Sequence, residues 1–264
     1  MSALRFEGVE VRLGGREVLR GVDLELAAGE IVAVVGANGA GKTTLLRVAS
    51  GVLRPTAGRA LLDGQPVDAL PRRELARRLA VVPQELQVAF GFSVGEVVLM
   101  GRSPHVGALG FDSRADAEVA REALRRVGIA GLADRSLLEL SGGERQLALV
   151  ARAFAQEPRV LLLDEPTAHL DLRHRLVVAA RVREFARGGR AALVVSHDLA
   201  LAARSCDRMA LLAGGRVLAA GAPGEVLTPA LLREGFGIEA DVVRAGDGAP
   251  LVVPRAAAAA LPPG

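Results

Sequence analysis

Apolar and polar positions change rhythm several times along the chain, and each change marks an element. Between residues 3 and 26 they alternate, as Val9, Val11, Leu13 and then Val22, Leu24, Leu26 on either side of Gly14-Gly15. Period two with one wet face predicts two antiparallel strands joined by a glycine turn. Ile31 to Val35 is uninterrupted and mostly β-branched, the pattern of a parallel strand buried on both faces. Pro55 to Gly58 reads as a turn, and a short hairpin is expected about Asp63-Gly64. A basic helix over Arg72 to Arg78 and a strand over Leu79 to Val82 follow. From Glu85 to about Gln156 strands disappear and helical spacing takes over: Val94, Val97, Val98, then Ala115 to Val127, then Leu147 to Phe154. This predicts an inserted helical subdomain containing a glycine-rich loop, SPHVGALGFDS. Two more apolar strands, Val160 to Leu163 and Ala191 to Val195, run into Asp164-Glu165 and Ser196-His197-Asp198. A closing strand pair is expected at Met209 to Leu212 and Val217 to Ala220. Beyond residue 240 the pattern offers one weak strand, Leu251 to Val253, and a low-complexity end, so residues 241–264 are expected to form a partly disordered tail.

Composition narrows the classes. A length of 264 residues suits one large α/β domain with a subdomain. The net charge is only +3, and the chain has seven Phe but no Trp or Tyr. Stacking platforms for single strands are therefore scarce, and no nucleic-acid partner is expected. One cysteine, Cys206, excludes an internal disulfide and suits a reducing compartment. No run reaches the ~18 apolar residues of a membrane span, so any membrane role is expected to come through a partner.

Ile31 to Leu46, IVAVVGANGAGKTTLL, organises the rest. Gly36-Ala37-Asn38-Gly39-Ala40-Gly41-Lys42-Thr43 fits the phosphate-binding loop in its strand–loop–helix setting, with Thr44 opening the helix. Gly36, Gly39 and Gly41 let successive N–H groups turn toward one anion, and the helix adds the positive end of its dipole. Lys42 reaches the β- and γ-phosphates, and the Thr43 hydroxyl can ligate Mg²⁺. Lys42 is also the only lysine; the other 32 basic residues are arginine. A compact ammonium threads a narrow cradle that a planar guanidinium does not.

A phosphate loop alone leaves kinases, GTPases and ATPases open. VLLLDE narrows them: Asp164 ends an apolar strand where it can hold Mg²⁺ through water, and Glu165 can orient and deprotonate an attacking water. Leu140 to Gln146, LSGGERQ, precedes a helix. Ser141, Gly142 and Gly143 are expected to form a second anion-binding nest there. Two phosphate-binding surfaces on separate subdomains imply two copies facing each other, each closing the other's loop.

These motifs, in this order and spacing, resemble the ATP-binding-cassette (ABC) ATPases over about residues 3–240. The resemblance implies an α/β P-loop NTPase fold. It would have a RecA-like parallel core sheet, an N-terminal antiparallel β-subdomain and a helical subdomain inserted at about 85–156. It implies ATP and Mg²⁺ as nucleotide and metal, with Thr43, Gln84 and Asp164 on the metal. Gln84 would sense the metal and the membrane partner, and His197 would contact the γ-phosphate. Leu170-Asp171 would face the dimer, and Ser141 to Glu144 would act on the opposite subunit's ATP. The pattern departs at Leu13, where the family usually stacks adenine on an aromatic; an aliphatic there costs about 1 kcal/mol of stacking.

Within the family, Ser93 to His105, SVGEVVLMGRSPH, is similar to the run T/S-V-x-E-x-V-x-x-G-R-x-P-H of the iron-chelate, haem and cobalamin importer ATPases, and EPTAHLDLRH leans the same way. That likeness implies a homodimer at the cytoplasmic face of the inner membrane. It would be held there by separate permease subunits and, through them, serve a substrate-binding protein. Haem or a ferric siderophore is the first expectation and cobalamin the next. The competing reading is a soluble ABC ATPase serving an assembly machine such as an iron–sulphur scaffold, which would not be expected to carry the GRSPH run.

Overall fold

A computed structural model describes residues 2–84, 91–107 and 113–258. The middle of the glycine-rich loop, the start of the SVGEVVLM approach and the last residues of the tail lie outside them.

The chain opens with β1 (Ser2–Leu13), β2 (Arg16–Ala27), β3 (Ile31–Val35), α1 (Lys42–Ala49), β4 (Ala57–Leu62) and β5 (Gln65–Pro66). Its middle contains α2 (Arg72–Arg78), β6 (Leu79–Val82), α3 (Val94–Leu99), α4 (Arg114–Val127), α5 (Gly142–Ala155), β7 (Val160–Asp164) and α6 (Leu172–Arg187). It closes with β8 (Ala191–Val195), α7 (Leu199–Ser205), β9 (Arg208–Ala213), β10 (Arg216–Gly221), α8 (Pro223–Val226), α9 (Pro229–Phe236), β11 (Ile238–Arg244) and β12 (Pro250–Ala257). These elements gather into two compact units, residues 1–70 with 186–264, and residues 71–185. Among the described residues, no helix is long and apolar enough to cross a membrane.

In the first unit β1 and β2 are antiparallel, and Leu13 faces Arg16 across the turn. Gly14 and Gly15 both take positive φ, 55° and 81°, as a two-residue hairpin turn requires. Alternation does what the pattern dictates: Val9, Val11, Val22, Leu24 and Leu26 are buried while intervening residues reach solvent. Leu13, at the tip, is 41% exposed. β3 is buried along its whole length and pairs parallel with β8 on one side and β9 on the other. Covering both edges and both faces is what an unbroken apolar strand needs. The expected disordered tail does not extend to residues 241–257. β11 and β12 pair antiparallel from Ile238↔Ala257 to Arg244↔Pro250. Ala240 there is buried, and β12 packs on α7. The signal in the sequence is weak because most of this hairpin is half exposed and the alternation is broken by Pro254.

In the second unit β6 and β7 run parallel, with Val82 beside Leu163. α3, α4 and α5 pack on one another through Val94, Val97, Val98, Leu124, Val127 and Leu147 to Phe154. Phe154 stacks on Phe185 at 5.4 Å between centroids. Each of the three helices begins with a serine whose hydroxyl accepts from the fourth residue's N–H, returned by an acidic side chain: Ser93 with Glu96, Ser113 with Asp116, Ser141 with Glu144.

The GRSPH run is a clamp within this unit. A methyl at Gly101 would collide with the carbonyl of Arg152. Arg102, expected as a basic residue beside a loop, is buried. Its Nε donates to Asp116 at 3.0 Å, and Nη1 donates to Ala155 O and Glu157 Oε2, each at 2.7 Å. His105 Nε2 lies 3.0 Å from Gln156 O, and Arg73 and Arg77 both donate to Pro104 O. One guanidinium thus ties the end of α3 to the start of α4 and the end of α5. Hydrogen bonds from Ser113, and then from Arg102, hold the Asp116 carboxyl down at about 2. Replacing Arg102 by Ala should therefore lower unfolding free energy by about 2 kcal/mol, because Asp116 keeps its Ser113 bonds but loses the guanidinium, and Ala155 O loses a charged donor. A folded-state value depressed from 3.8 to about 2 stabilises fully above the unfolded value and is lost as pH falls toward 2. Urea titrations of both proteins at neutral pH and at pH 2–3 test this; an Arg102→Ala midpoint equal to wild type would contradict it.

Candidate active site

The first unit contributes the phosphate loop and one polar turn. The loop leaves the carboxyl end of β3, and Ser196-His197 leaves the carboxyl end of its parallel neighbour β8, so both lie at the same sheet end. Gly36, Gly39 and Gly41 adopt φ of 154°, 80° and 105°. Space as well as torsion excludes side chains: a Cβ on Gly36 would collide with Leu212 O, and one on Gly41 would lie 2.7 Å from Leu19 Cδ2. α1 has no side-chain cap and no acidic residue in its first turn, unlike α3, α4 and α5. No carboxylate of its own first turn offsets the positive end of its dipole. Lys42 is buried, and Nζ donates to Gly36 O and Ala37 O, both at 2.9 Å. Ser196 is buried and bonded through its N–H to Val34 O, which leaves the next residue, His197, exposed at the rim.

In the second unit, Gln84 follows β6 and Asp164-Glu165 ends β7, again at the carboxyl ends of parallel neighbours. Glu165 sits at φ 47° and His169 at φ 59°. Two non-glycine residues in the left-handed region, at a cost of roughly 1–2 kcal/mol each, bracket the turn after the acidic strand. Gln84 lines a pocket of about 200 Å³ together with Gly142, Gln146, Ala168, His169 and Leu170. The structure thus brings Gln84, the LSGGERQ helix and the loop after Glu165 to one place. Gln146, buried there, has an Nε2 without a hydrogen-bond partner among the described residues.

The anion nest expected at Ser141 to Gly143 takes another form. Neither glycine has positive φ; both are the first residues of α5, and the N–H groups on offer are those of a helix N-terminus. Ser141 is the N-cap. Its N–H and hydroxyl donate to Glu144 Oε2 at 2.9 and 2.7 Å, and Glu144 N–H donates back to Ser141 Oγ. These bonds hold the Glu144 carboxyl below the usual carboxylate range. Asp171 is likewise depressed, by hydrogen bonds from the backbone and then the side chain of His174. The role of Glu144 as a cap was available from the S-x-x-E spacing. His174, three residues beyond Asp171, was not singled out from the sequence.

Comparisons with known proteins agree with this arrangement. Residues 19–168 match the family model for the ABC transporter. The chain is 47% identical to the hemin import ATP-binding protein HmuV of Gloeobacter violaceus, over 99% of this chain and 97% of that protein. It is 47% identical to the protein of the same name from Myxococcus xanthus, over 98% and 100%. A cobalamin import ATP-binding protein, BtuD of Halobacterium salinarum, is 48% identical over 87% of this chain and 57% of its own length. Among solved structures, an inward-facing metal-chelate type ABC transporter superposes with a TM-score of 0.84 at 29% identity, covering 97% of this chain and 98% of that one. With its glycine-built phosphate loop, its buried lysine and its serine-capped LSGGERQ helix, the chain belongs to the ABC transporter family and is an ATP-binding ATPase of that family.

Proposed function

We propose that the chain is the ATP-hydrolysing subunit of a haem importer, working as a homodimer under membrane permease subunits. The observation that carries this reading is similarity along nearly the full length to hemin import ATP-binding proteins. Matching cobalamin relatives extend well beyond the chain, which makes cobalamin the second choice.

The roles follow from the chemistry of each side chain. The N–H groups of Gly36 to Thr44 and the Lys42 ammonium hold the β- and γ-phosphates. Thr43, Gln84 and Asp164 supply only oxygen donors, and the described residues contain no cluster of three His, Cys, Asp or Glu. That sparse, hard set fits Mg²⁺, which keeps several waters and is held by few protein ligands plus phosphates. Bound there, Mg²⁺ neutralises charge on the β- and γ-oxygens. Glu165 takes the proton of the attacking water as its oxygen bonds to the γ-phosphorus and the bond to ADP breaks. His197 donates to the γ-phosphate. Ser141 to Gly143 close the partner's nucleotide, and Asp171 faces that partner. A cleft of about 640 Å³ in the second unit, lined by Arg73, Phe92, Glu96, Leu99, Met100 and Ser103, receives the permease at the cytoplasmic face of the membrane.

Two outcomes test this. Lys42→Arg should lose turnover as severely as Lys42→Ala, roughly 10²-fold or more, because a buried ammonium bonded to two loop carbonyls leaves no width for a guanidinium. ATPase assays of both variants decide it, and a largely active arginine variant contradicts it. For cargo, the chain reconstituted with its permease in liposomes should hydrolyse ATP severalfold faster with a haem-loaded binding protein. Stimulation by cobalamin alone would shift the cargo, and failure to bind any membrane protein would favour the soluble alternative.

A further inference from the structure

Gly143 raises a question that its backbone does not answer. It lies in the first turn of α5 with an ordinary helical φ, where alanine would be better by about 1 kcal/mol. Its neighbour Gly142 has open space where a side chain would go. At Gly143 a methyl would collide with three atoms of one ring, Cγ, Cδ2 and Nδ1 of His174. That ring is not loose. Asp171 caps α6 and grips His174 twice: His174 N–H donates to Asp171 Oδ1 at 2.8 Å, and Nδ1 lies 2.9 Å from Asp171 Oδ2. Two bonds from one carboxylate to the backbone and ring of one residue fix both the direction and the tilt of the imidazole. The ring is mostly covered, with 22% of its side chain exposed, whereas Asp171 is largely open to solvent.

We propose that His174 is a positioning residue whose imidazole, held by Asp171 and seated on Gly143, locks the loop after Glu165 to the LSGGERQ turn so that the two move as one piece. This rests on the two-chain reading of hydrolysis, in which Asp171 and Ser141 to Gly143 face the same partner. A shift of either loop then carries the other, and a partner's nucleotide meets both or neither. The ring by itself is enough to require glycine at 143, whereas the torsion is not.

The contact and the role can be separated. In isotope-labelled full-length protein without nucleotide, His174→Ala should displace the Gly143 amide resonance while distant resonances stay in place. Asp171→Ala should displace the same resonance by releasing the ring. An unmoved Gly143 signal in Asp171→Ala overturns the lock. This reading needs neither ATP nor a second chain, so it stands apart from any failure of the two-chain account. For the role, His174→Ala should lower kcat about tenfold with KM for ATP within about twofold, since the chain's own phosphate loop is untouched. Adding His174→Ala to Asp171→Ala should cost little more, because the two act as a unit. A wild-type kcat in His174→Ala, or losses in the double variant that multiply, would overturn the positioning role.

Discussion

Backbone N–H groups can hold a highly charged phosphate only if nothing else stands where it must sit, and the first unit is arranged around that constraint. β3 must be buried to end at a fixed point, and it is covered by β8 and β9 on its two edges. The loop beyond it is pressed so closely against Leu212 and Leu19 that Gly36 and Gly41 admit no side chain. Lys42 then folds back onto the carbonyls of Gly36 and Ala37. The ammonium thereby satisfies two loop carbonyls and keeps a positive charge at the loop. Ammonium geometry permits this from a buried position because its donors diverge from one small atom.

The N-termini of α1 and α5, one in each unit, are prepared differently. α1 begins without a side-chain cap and without an acidic residue in its first turn. α5 begins with a complete capping box, and Glu144 already supplies an anion to Ser141. A phosphate arriving at α5 must share the serine with that carboxylate. In the proposed two-chain arrangement the first surface would bind on its own, and the second would add its grip only as part of a two-sided closure.

Much of the fold was legible because its elements obey one period each. Ile31 to Val35 and Ala191 to Val195 are continuous apolar strands, and α2 spans the residues its pattern predicted. Of the β11–β12 hairpin only a weak strand at Leu251 to Val253 was legible, because its half-exposed residues carry little contrast between faces. The motif residues were legible because phosphate chemistry demands particular residue types at particular spacings. The burial of Arg102 was not, since nothing local distinguishes an arginine facing solvent from one facing Asp116 fourteen residues away. The same holds for His174, whose partner Gly143 lies on another helix.

The central claim is that each ATP is completed by a phosphate loop from one chain and an LSGGERQ turn from another. The direct measurement mixes two disabled proteins: Lys42→Ala, whose turn is intact, and Ser141→Arg, whose loop is intact. Neither alone should form an ATP-dependent dimer or retain labelled ATP through gel filtration. Their mixture should form a dimer holding one ATP, because only the mixed pair contains one site made from two sound halves. A Ser141→Arg chain that hydrolyses ATP at the wild-type rate as a dilute monomer would contradict the account.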